Sequence, residues 1–203
     1  METDGARTVL LVDDETALRE LYESILDDTF DVVTAAGSGA ALELVDESID
    51  VALLDRRMPE MSGDELLLRL RESGYEMPVG MVSALKPDRD IVELPLDDYL
   101  AKPVHTTELL ERTELLVLRT HLDRPCRELF RLAAKKSALE AGEGTDAEGT
   151  EAIRELVARM ESLQERVDPQ VDHLRARDIA YPSSLETLPD AVWDACQPPE
   201  QTT

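Results

Sequence analysis

Residues that could do chemistry directly follow four short apolar runs of the sequence. They are Asp13 and Asp14 after Thr8–Val12, Asp55 after Val51–Leu54, Ser83 after Pro78–Val82 and Lys102 after Tyr99–Ala101. An aspartate at the mouth of a buried run is costly unless it is paired, bound to a cation or used in a reaction. Three carboxylates held together would repel one another, and carboxylate oxygens are ligands that Mg²⁺ prefers. We therefore expect Asp13, Asp14 and Asp55 to form a cluster that binds Mg²⁺, with a hydroxyl and an ammonium beside it.

The elements that must position these residues alternate between strands and helices. Apolar, β-branched runs predict strands, and apolar residues at helical spacing predict a helix after each strand. Ser38 and either Thr106 or Thr107 are expected to cap two of these helices, and Gly63 to precede a third. The predicted strands are Thr8–Val12, Phe30–Thr34, Ile49–Leu54, Pro78–Val82 and Tyr99–Ala101. Five such units in series predict an α/β fold with a five-stranded, doubly wound parallel sheet, in which sites form at the carboxyl ends of the strands.

The motifs at the strand ends resemble, in type and order, those of the receiver domain of two-component response regulators. They are Asp-Asp after the first strand, Asp-x-x-Met-Pro after the third, Ser-Ala after the fourth and Tyr-Leu-x-Lys-Pro at the fifth. The resemblance covers about Thr8 to Leu118 and implies a flavodoxin-like fold. It also implies that Asp55 accepts a phosphoryl group from a sensor histidine kinase, and that the protein is not otherwise an enzyme.

The same resemblance implies a set of Mg²⁺ ligands around the acceptor. Asp13, Asp14, Asp55 and the backbone carbonyl of Arg57 would hold the ion, and of the first two Asp14 is expected to be the direct ligand. Arg56, in contrast, is expected to face away from the site as a solvated surface charge.

Other residues are expected to act on the phosphoryl group itself. By resemblance, Lys102 would pair with one phosphoryl oxygen and Ser83 would donate a hydrogen bond to another. Tyr99 would be an aromatic switch that swings inward as Ser83 moves, or else a half-buried core tyrosine. Arg57 is long and cationic enough to cover the phosphoryl group, whereas Leu85 has no group to orient a hydrolytic water. This pair predicts a long-lived phosphorylated state.

The segment between the fourth and fifth strands is shorter than receivers usually have. Only twelve residues separate Ala84 from Asp97, and Pro87 and Pro95 lie among them. Because proline can start a helix but cannot continue one, at most two helical turns fit there. Many receivers dimerise through the helix at this position, so their common dimer is not carried over to this chain.

Two amphipathic helices are predicted after the receiver. The first starts with Asp123 as its N-cap, and the second starts with Thr150 and ends at Asp168. The connector between them is Gly142–Gly149, which is rich in glycine. We expect a small α-helical hairpin domain that must bury its apolar face.

The first of these helices resembles the HalX domain, which is found behind receivers in halophilic archaea. The resemblance rests on the run Glu128–Glu140. We expect an N-terminal tail over 1–7, a receiver over 8–118, a HalX-like hairpin over 119–168 and a proline-containing tail over 169–203. That last tail is expected to be disordered, apart from a brief helix within Leu185–Cys196.

The composition is strongly acidic, with 45 acidic and 21 basic residues and a net charge of −24. An acidic surface repels nucleic acid and anionic membranes, and it keeps a protein hydrated at high salt. We therefore expect a halophilic, cytoplasmic protein without a targeting sequence or membrane span. Cys126 and Cys196 fit neither a disulfide framework nor a zinc site and are expected to act as small apolar side chains.

A local reversal of charge lies in the first C-terminal helix. Arg124, Arg127, Arg131 and Lys135 fall on one side of that helix. The face can be a solvated surface paired with acidic neighbours, or it can recognise an anion such as DNA. Two functions follow: a response regulator whose helical domain dimerises or binds a protein partner, or a DNA-binding transcriptional regulator that uses the basic face of Arg124–Lys136. We favour the first.

Overall fold

The computed structural model describes residues 7–120, 124–142 and 147–164. The chain divides into two compact units, Met1–His121 and Leu122–Thr203. Each unit is described by itself below.

The first unit is built on a sheet of five parallel strands in the order β2-β1-β3-β4-β5. The strands are β1 (Thr8–Val12), β2 (Asp31–Ala35), β3 (Val51–Asp55), β4 (Val79–Ser83) and β5 (Asp98–Ala101). This confirms the predicted doubly wound α/β fold, and each predicted strand lies within two residues of an observed one. The strand order reverses at β1, so the carboxyl ends of β1 and β3 lie side by side.

Helices cover the sheet of the first unit. They are α1 (Thr16–Leu26), α2 (Ser38–Leu44), α3 (Gly63–Glu72) and α4 (Thr106–Arg119). Every residue of β3 and β4 is buried, as expected for strands covered on both faces. Among the largest fully buried side chains are Leu10, Leu53 and Met81 from three adjacent strands. The core therefore fixes the strand ends that carry the polar residues.

The helix starts differ in part from the predicted caps. Gly37, not Ser38, is the N-cap of α2, and the Ser38 hydroxyl instead donates to the Met61 carbonyl at 2.7 Å. His105 is the N-cap of α4, so Thr106 is already helical. In both places the threonine or serine signal identified the helix start to within one or two residues but not the cap itself.

α3 begins with a complete capping box. The Ser62 hydroxyl accepts from the Glu65 N–H at 3.2 Å, and the Glu65 carboxylate accepts from the Ser62 N–H at 2.9 Å. This reciprocal pair satisfies two N–H groups that a helix start would otherwise leave without partners. It fixes the start of α3 close to the end of β3.

The connection between β4 and β5 is a single 3₁₀ turn, Arg89–Val92. The Asp88 carboxylate caps the turn by accepting from the Asp90 N–H at 3.2 Å, and Ile91 and Val92 are buried. The prediction that no more than two turns fit in this segment is confirmed.

The start of β5 is held by buried ion pairs. Arg71 Nη2 lies 3.2 Å from Asp97 Oδ2, and Arg112 Nη2 lies 3.2 Å from Asp98 Oδ1. The Arg119 guanidinium donates to the Asp97 carbonyl. These contacts tie α3 and α4 to the strand.

The described part of the second unit consists of two helices that pack against each other, α5 (Arg124–Ala141) and α6 (Ala147–Gln164). Their buried apolar residues include Leu129 and Leu132 of α5 and Leu156 and Met160 of α6. This confirms the predicted helical pair.

Three details of the helical pair differ from the sequence predictions or lie beyond what the structure describes. α6 begins at Ala147, so Thr150 is inside the helix and the end of the predicted connector is helical. Gly149 does not prevent this, because a helix tolerates an isolated glycine. Asp123, Asp168 and the segment Leu185–Cys196 lie outside the described residues.

The basic face of α5 is not one open stripe. Arg124 is exposed, but Lys135 is only 3% exposed. Arg131 pairs with Glu128 at 3.0 Å, and the neighbouring Lys136 pairs with Glu140 at 2.7 Å. The burial of Lys135 corrects the prediction that all four cations share one accessible surface.

Within the ranges that the structure describes, no helix combines the length and the apolar character needed to cross a membrane.

Candidate functional site

The candidate site lies at the carboxyl edge of the sheet. Asp13 follows β1, Asp55 is the last residue of β3, Ser83 is the last residue of β4 and Lys102 follows β5. Because the strands are parallel, these residues emerge at the same edge. The predicted residues from four different strands therefore share one end of the molecule's first unit.

Lys102 links the carboxylates of Asp13 and Asp55. Its Nζ lies 2.7 Å from Asp13 Oδ2 and 2.6 Å from Asp55 Oδ1. The remaining carboxylate oxygens accept from backbone: Asp13 Oδ1 from the Glu15 N–H at 2.9 Å, and Asp55 Oδ2 from the Arg57 N–H at 2.7 Å. Each of the four oxygens thus has a donor, which is what burial of two carboxylates requires.

The electrostatics of the pair reflect this burial. Burial raises the pKa of the Asp55 carboxyl, and the hydrogen bond from Lys102 opposes that rise without cancelling it. For Lys102, burial acts to lower the pKa, but hydrogen bonds to Asp13 and Asp55 outweigh it and the pKa is raised. Both partners therefore shift upward, and Lys102 remains an ammonium at neutral pH.

The oxygen donors suit a hard cation, although their arrangement differs from the predicted cluster. Asp13 and Asp55 are buried and share Lys102, whereas Asp14 is exposed. Within residues 7–120, 124–142 and 147–164, no group of three Asp, Glu, His or Cys side chains comes together as a metal-binding set. The correction has a simple physical cause: the Lys102 ammonium already neutralises the two carboxylates, so repulsion alone does not demand a metal. The carboxylates of Asp13, Asp14 and Asp55 nevertheless provide the donor chemistry that Mg²⁺ prefers.

Ser83 and Tyr99 lie together beside the carboxylates. Ser83 is fully buried, and its hydroxyl oxygen accepts from the Leu85 N–H at 3.1 Å. Tyr99 is 3% exposed, and its hydroxyl donates to the Leu85 carbonyl at 2.7 Å. Burial raises the pKa of the Tyr99 hydroxyl, and interactions with Ser83 and Arg56 oppose the rise. Tyr99 is therefore an inward-facing tyrosine, more deeply buried than the half-buried alternative.

Arg56 is where the sequence prediction was wrong. It is 6% exposed, not a solvated surface charge, and its Nε donates to Asp64 Oδ2 at 2.9 Å. Arg57, its neighbour, is exposed. Burial of a guanidinium needs acidic partners, and the sequence did contain that signal: Asp64, Asp88 and Asp90 all fall in segments that follow strands at the same sheet edge.

A flavodoxin-like α/β sheet with a lysine-bound aspartate at its carboxyl edge places the first unit in the class of receiver domains. The chain belongs to the response regulator receiver family: the model of the response regulator receiver domain matches residues 9–114. A model of the HalX domain matches residues 118–181. Both predicted resemblances are confirmed.

Similar proteins from archaea and bacteria are named as regulators. The chain is 40% identical over 159 residues to a protein of Haloferax volcanii that is named as a candidate transcriptional regulator, over 78% of this chain and 27% of that protein. It is 39% identical over 117 residues to the transcriptional regulatory protein CpxR of Escherichia coli K12, over 56% of this chain and 50% of that protein. The chain thus spans about a quarter to a half of the length of these relatives.

Solved receiver domains share the fold of the first unit. A Francisella response regulator receiver domain matches with a TM-score of 0.52 and 29% identity, over 56% of this chain and 98% of that domain. A receiver domain protein from Methanospirillum hungatei matches with a TM-score of 0.52 and 29% identity, over 55% and 94% of the two chains.

Proposed function

We propose that this protein accepts a phosphoryl group on Asp55 from a sensor histidine kinase and passes the signal to its C-terminal helical domain. The observation that carries the proposal is the state of Asp55 at the end of β3. Its carboxylate is 7% exposed and is held by Lys102 Nζ at 2.6 Å and by the Arg57 N–H at 2.7 Å. These two hydrogen bonds hold the buried carboxylate in one orientation, as a group that attacks phosphorus from a fixed position requires.

The proposed step is a nucleophilic displacement at phosphorus. An Asp55 carboxylate oxygen forms the new P–O bond, and the P–N bond to the kinase's phosphohistidine breaks. The electron pair of that bond returns to the imidazole, which leaves as neutral histidine after it takes up a proton. The product is an aspartyl phosphate, and the protein acts on itself and on no other substrate.

The residues around Asp55 have separate tasks in this proposal. Lys102 stays protonated and pairs with a phosphoryl oxygen, because its pKa is raised by its two carboxylate partners. Ser83 turns from the Leu85 N–H to donate to another phosphoryl oxygen. Tyr99 moves with Ser83, because the Tyr99 hydroxyl is bonded to the Leu85 carbonyl and the Ser83 hydroxyl to the Leu85 N–H.

Mg²⁺ is the cofactor that the donor set fits. Asp13, Asp14, Asp55 and the backbone carbonyl of Arg57 would hold it. When bound, the ion supplies positive charge that neutralises the phosphoryl oxygens.

The output proposed for the second unit is dimerisation or binding of a protein partner in a cytoplasm of high salt. Supporting this, cations of α5 are engaged within the chain, since Arg131 pairs with Glu128 and Lys136 with Glu140. The second candidate is DNA binding through the exposed part of the basic face, at Arg124 and its neighbours. It is favoured by the names of the relatives, which are transcriptional regulators.

Phosphorylation is tested by incubating the full chain with Mg²⁺ and a small phosphodonor, such as acetyl phosphate, and measuring intact mass. The parent should gain one phosphoryl group and Asp55→Asn none. The control is Asp31→Asn, which changes an exposed aspartate at the start of β2. Asp14→Ala should greatly weaken Mg²⁺ binding. Phosphorylation of Asp55→Asn at the parent's rate would remove Asp55 as the acceptor.

DNA binding is tested by fluorescence anisotropy with genomic fragments at high KCl, with and without the phosphodonor. The protein-binding proposal expects no saturable DNA signal. The DNA-binding candidate expects binding that is lost in Arg124→Gln/Arg127→Gln. The control is Arg154→Gln, which removes an exposed cation from α6.

A further inference from the structure

Arg56 is a buried cation that gathers acidic groups from two separate segments. Its Nε donates to both carboxylate oxygens of Asp64, at 2.9 and 3.1 Å. Its Nη1 lies 3.5 Å from Asp88 Oδ1, and its Nη2 lies 4.0 Å from Asp90 Oδ2. Asp64 belongs to the first turn of α3, whereas Asp88 and Asp90 belong to the cap and body of the 3₁₀ turn. One side chain therefore joins the start of α3 to the β4–β5 connection.

The guanidinium is also next to the Tyr99 phenol, which it influences electrostatically. Tyr99 and the β4–β5 connection are joined in turn, because the Tyr99 hydroxyl donates to the Leu85 carbonyl. Arg56 Nη1 is buried and faces the Asp88 carboxylate.

We infer that Arg56 is a positioning residue for phosphoryl binding: by clamping Asp88 and Asp90 against α3, it holds the Ser83–Leu85 loop and Tyr99 in a single arrangement. This inference rests on the proposed function, since it assigns to Arg56 the preparation of the site on Asp55. Arg56 does not contact the phosphoryl group and acts through Ser83 and Tyr99.

The physical reason is charge balance at a short connection. Without Arg56, Asp64 would lose its buried partner, and the exposed carboxylates of Asp88 and Asp90 would lose the cation that links the 3₁₀ turn to α3. The turn is anchored by the buried Ile91 and Val92, so the loss of Arg56 would loosen chiefly its Asp88 end, which is the end next to Leu85. Its release would let the Leu85 backbone move, and with it the two groups that Leu85 positions. A phosphoryl group would then bind only the fraction of molecules that retain the productive arrangement.

The experiment compares full-length parent and Arg56→Gln labelled with 3-fluorotyrosine, observed by ¹⁹F NMR, with Tyr99→Phe used to assign the Tyr99 signal. The phosphoryl mimic is beryllofluoride, titrated in the presence of Mg²⁺. We expect the Tyr99 signal of Arg56→Gln to shift or broaden before any mimic is added. We also expect its apparent affinity for the mimic to fall about three- to tenfold, as follows if a tenth to a third of molecules retain the arrangement. Arg56→Lys, which keeps the charge, should regain part of that affinity.

The matched control is Arg7→Gln, which breaks a part-buried arginine–aspartate pair with Asp50 at the other end of the sheet. It should leave both the Tyr99 signal and the affinity unchanged. If Arg56→Gln does not fold, Asp88→Asn/Asp90→Asn replaces it, because that variant keeps the pair between Arg56 and Asp64.

Each outcome separates the inference from the proposed function. An unchanged Tyr99 signal in the Arg56 variant, or a changed signal with the parent's affinity for the mimic, overturns the positioning role. A parent chain that binds no mimic with Mg²⁺ overturns the proposed function itself. Binding that is equally tight in parent and variant overturns only the inference.

Discussion

Gly63→Ala should lower the free energy of unfolding of the first unit, because the start of α3 lies directly against the backbone of Asp55. Gly63 is the first residue of α3, and its N–H donates to the Arg56 carbonyl at 3.0 Å. A Cβ added there would lie 2.2 Å from the Asp55 carbonyl oxygen and 3.0 Å from both the Asp55 carbonyl carbon and the Arg56 Cα. All three obstacles are backbone atoms, so no side-chain rotation can relieve the overlap.

The size of the effect follows from these distances. Nonbonded heavy atoms settle at about 3.5–4.0 Å, so the backbone must open by about 1 Å or more. Inserting a methyl group into a packed site ordinarily costs about 1–3 kcal/mol. Because the obstacle here is the backbone of a buried strand, we expect a loss near the upper end, about 3 kcal/mol in the free energy of unfolding.

Urea unfolding of the full chain at high KCl, followed by circular dichroism, measures the loss as a lower midpoint with an unchanged slope. The matched control is Gly39→Ala on α2, where an added Cβ meets nothing within 4 Å. That variant should be unchanged or gain up to about 1 kcal/mol, since alanine favours helix over glycine. The acceptor should also react more slowly in Gly63→Ala, because the strain falls on Asp55. If Gly63→Ala unfolds within about 0.5 kcal/mol of the parent, a difference within the usual range for surface changes, the close-approach reasoning is refuted.

Three further predictions follow from other contacts. Ser62→Ala should lower the free energy of unfolding by about 1 kcal/mol through loss of the α3 cap, measured by urea titration. Hydrogen bonds from the backbone and side chain of Ser62 lower the pKa of the Glu65 carboxyl in the folded protein. The stabilisation from these bonds is present above the pKa that Glu65 has in the unfolded chain, and it is lost as the pH falls through the lower pKa of the folded protein. The free energy of unfolding of Ser62→Ala should therefore fall less on acidification than that of the parent. Arg57→Asn with Leu85→Glu should speed the decay of phosphorylated protein in Mg²⁺ without kinase, because a group that can orient water replaces one that cannot; decay no faster than the parent's contradicts the prediction. A chain ended after Thr120 should self-associate less than the full chain by light scattering if the helical unit carries most of any dimer interface, and equal self-association would rule that out.

The centre of the sheet could be predicted from the sequence because β3 and β4 are buried on both faces and β1 nearly so. Such strands must be continuous apolar runs, and polar residues at their carboxyl ends stand out against them. Asp55, Ser83 and Lys102 were found in this way, and the structure places each at the end of its strand. The short β4–β5 connection was predictable too, because Pro87 and Pro95 limit helix length by covalent geometry.

The features that the sequence did not predict depend on contacts between segments far apart along the chain. Arg56 looked like a surface charge: the acidic residues that follow β3 and β4 are visible in the sequence, but only the fold shows that Asp64 and Asp88 approach Arg56. Lys102 was expected to pair with a phosphoryl oxygen, and the sequence did not show that its ammonium also bridges the carboxylates of Asp13 and Asp55. The start of α6 at Ala147 rather than Thr150 shows that a local cap signal does not by itself fix where a helix begins.

The bridge made by Lys102 gives the pocket a tethered counter-ion. Because the ammonium is carried on the same chain, its effective concentration at Asp13 and Asp55 does not depend on the ions dissolved around the protein. A monovalent ion from a concentrated salt solution brings the same single charge, and it would have to displace two short hydrogen bonds to enter. The lysine therefore acts as a built-in counter-ion, and a monovalent cation gains no charge advantage by replacing it between Asp13 and Asp55.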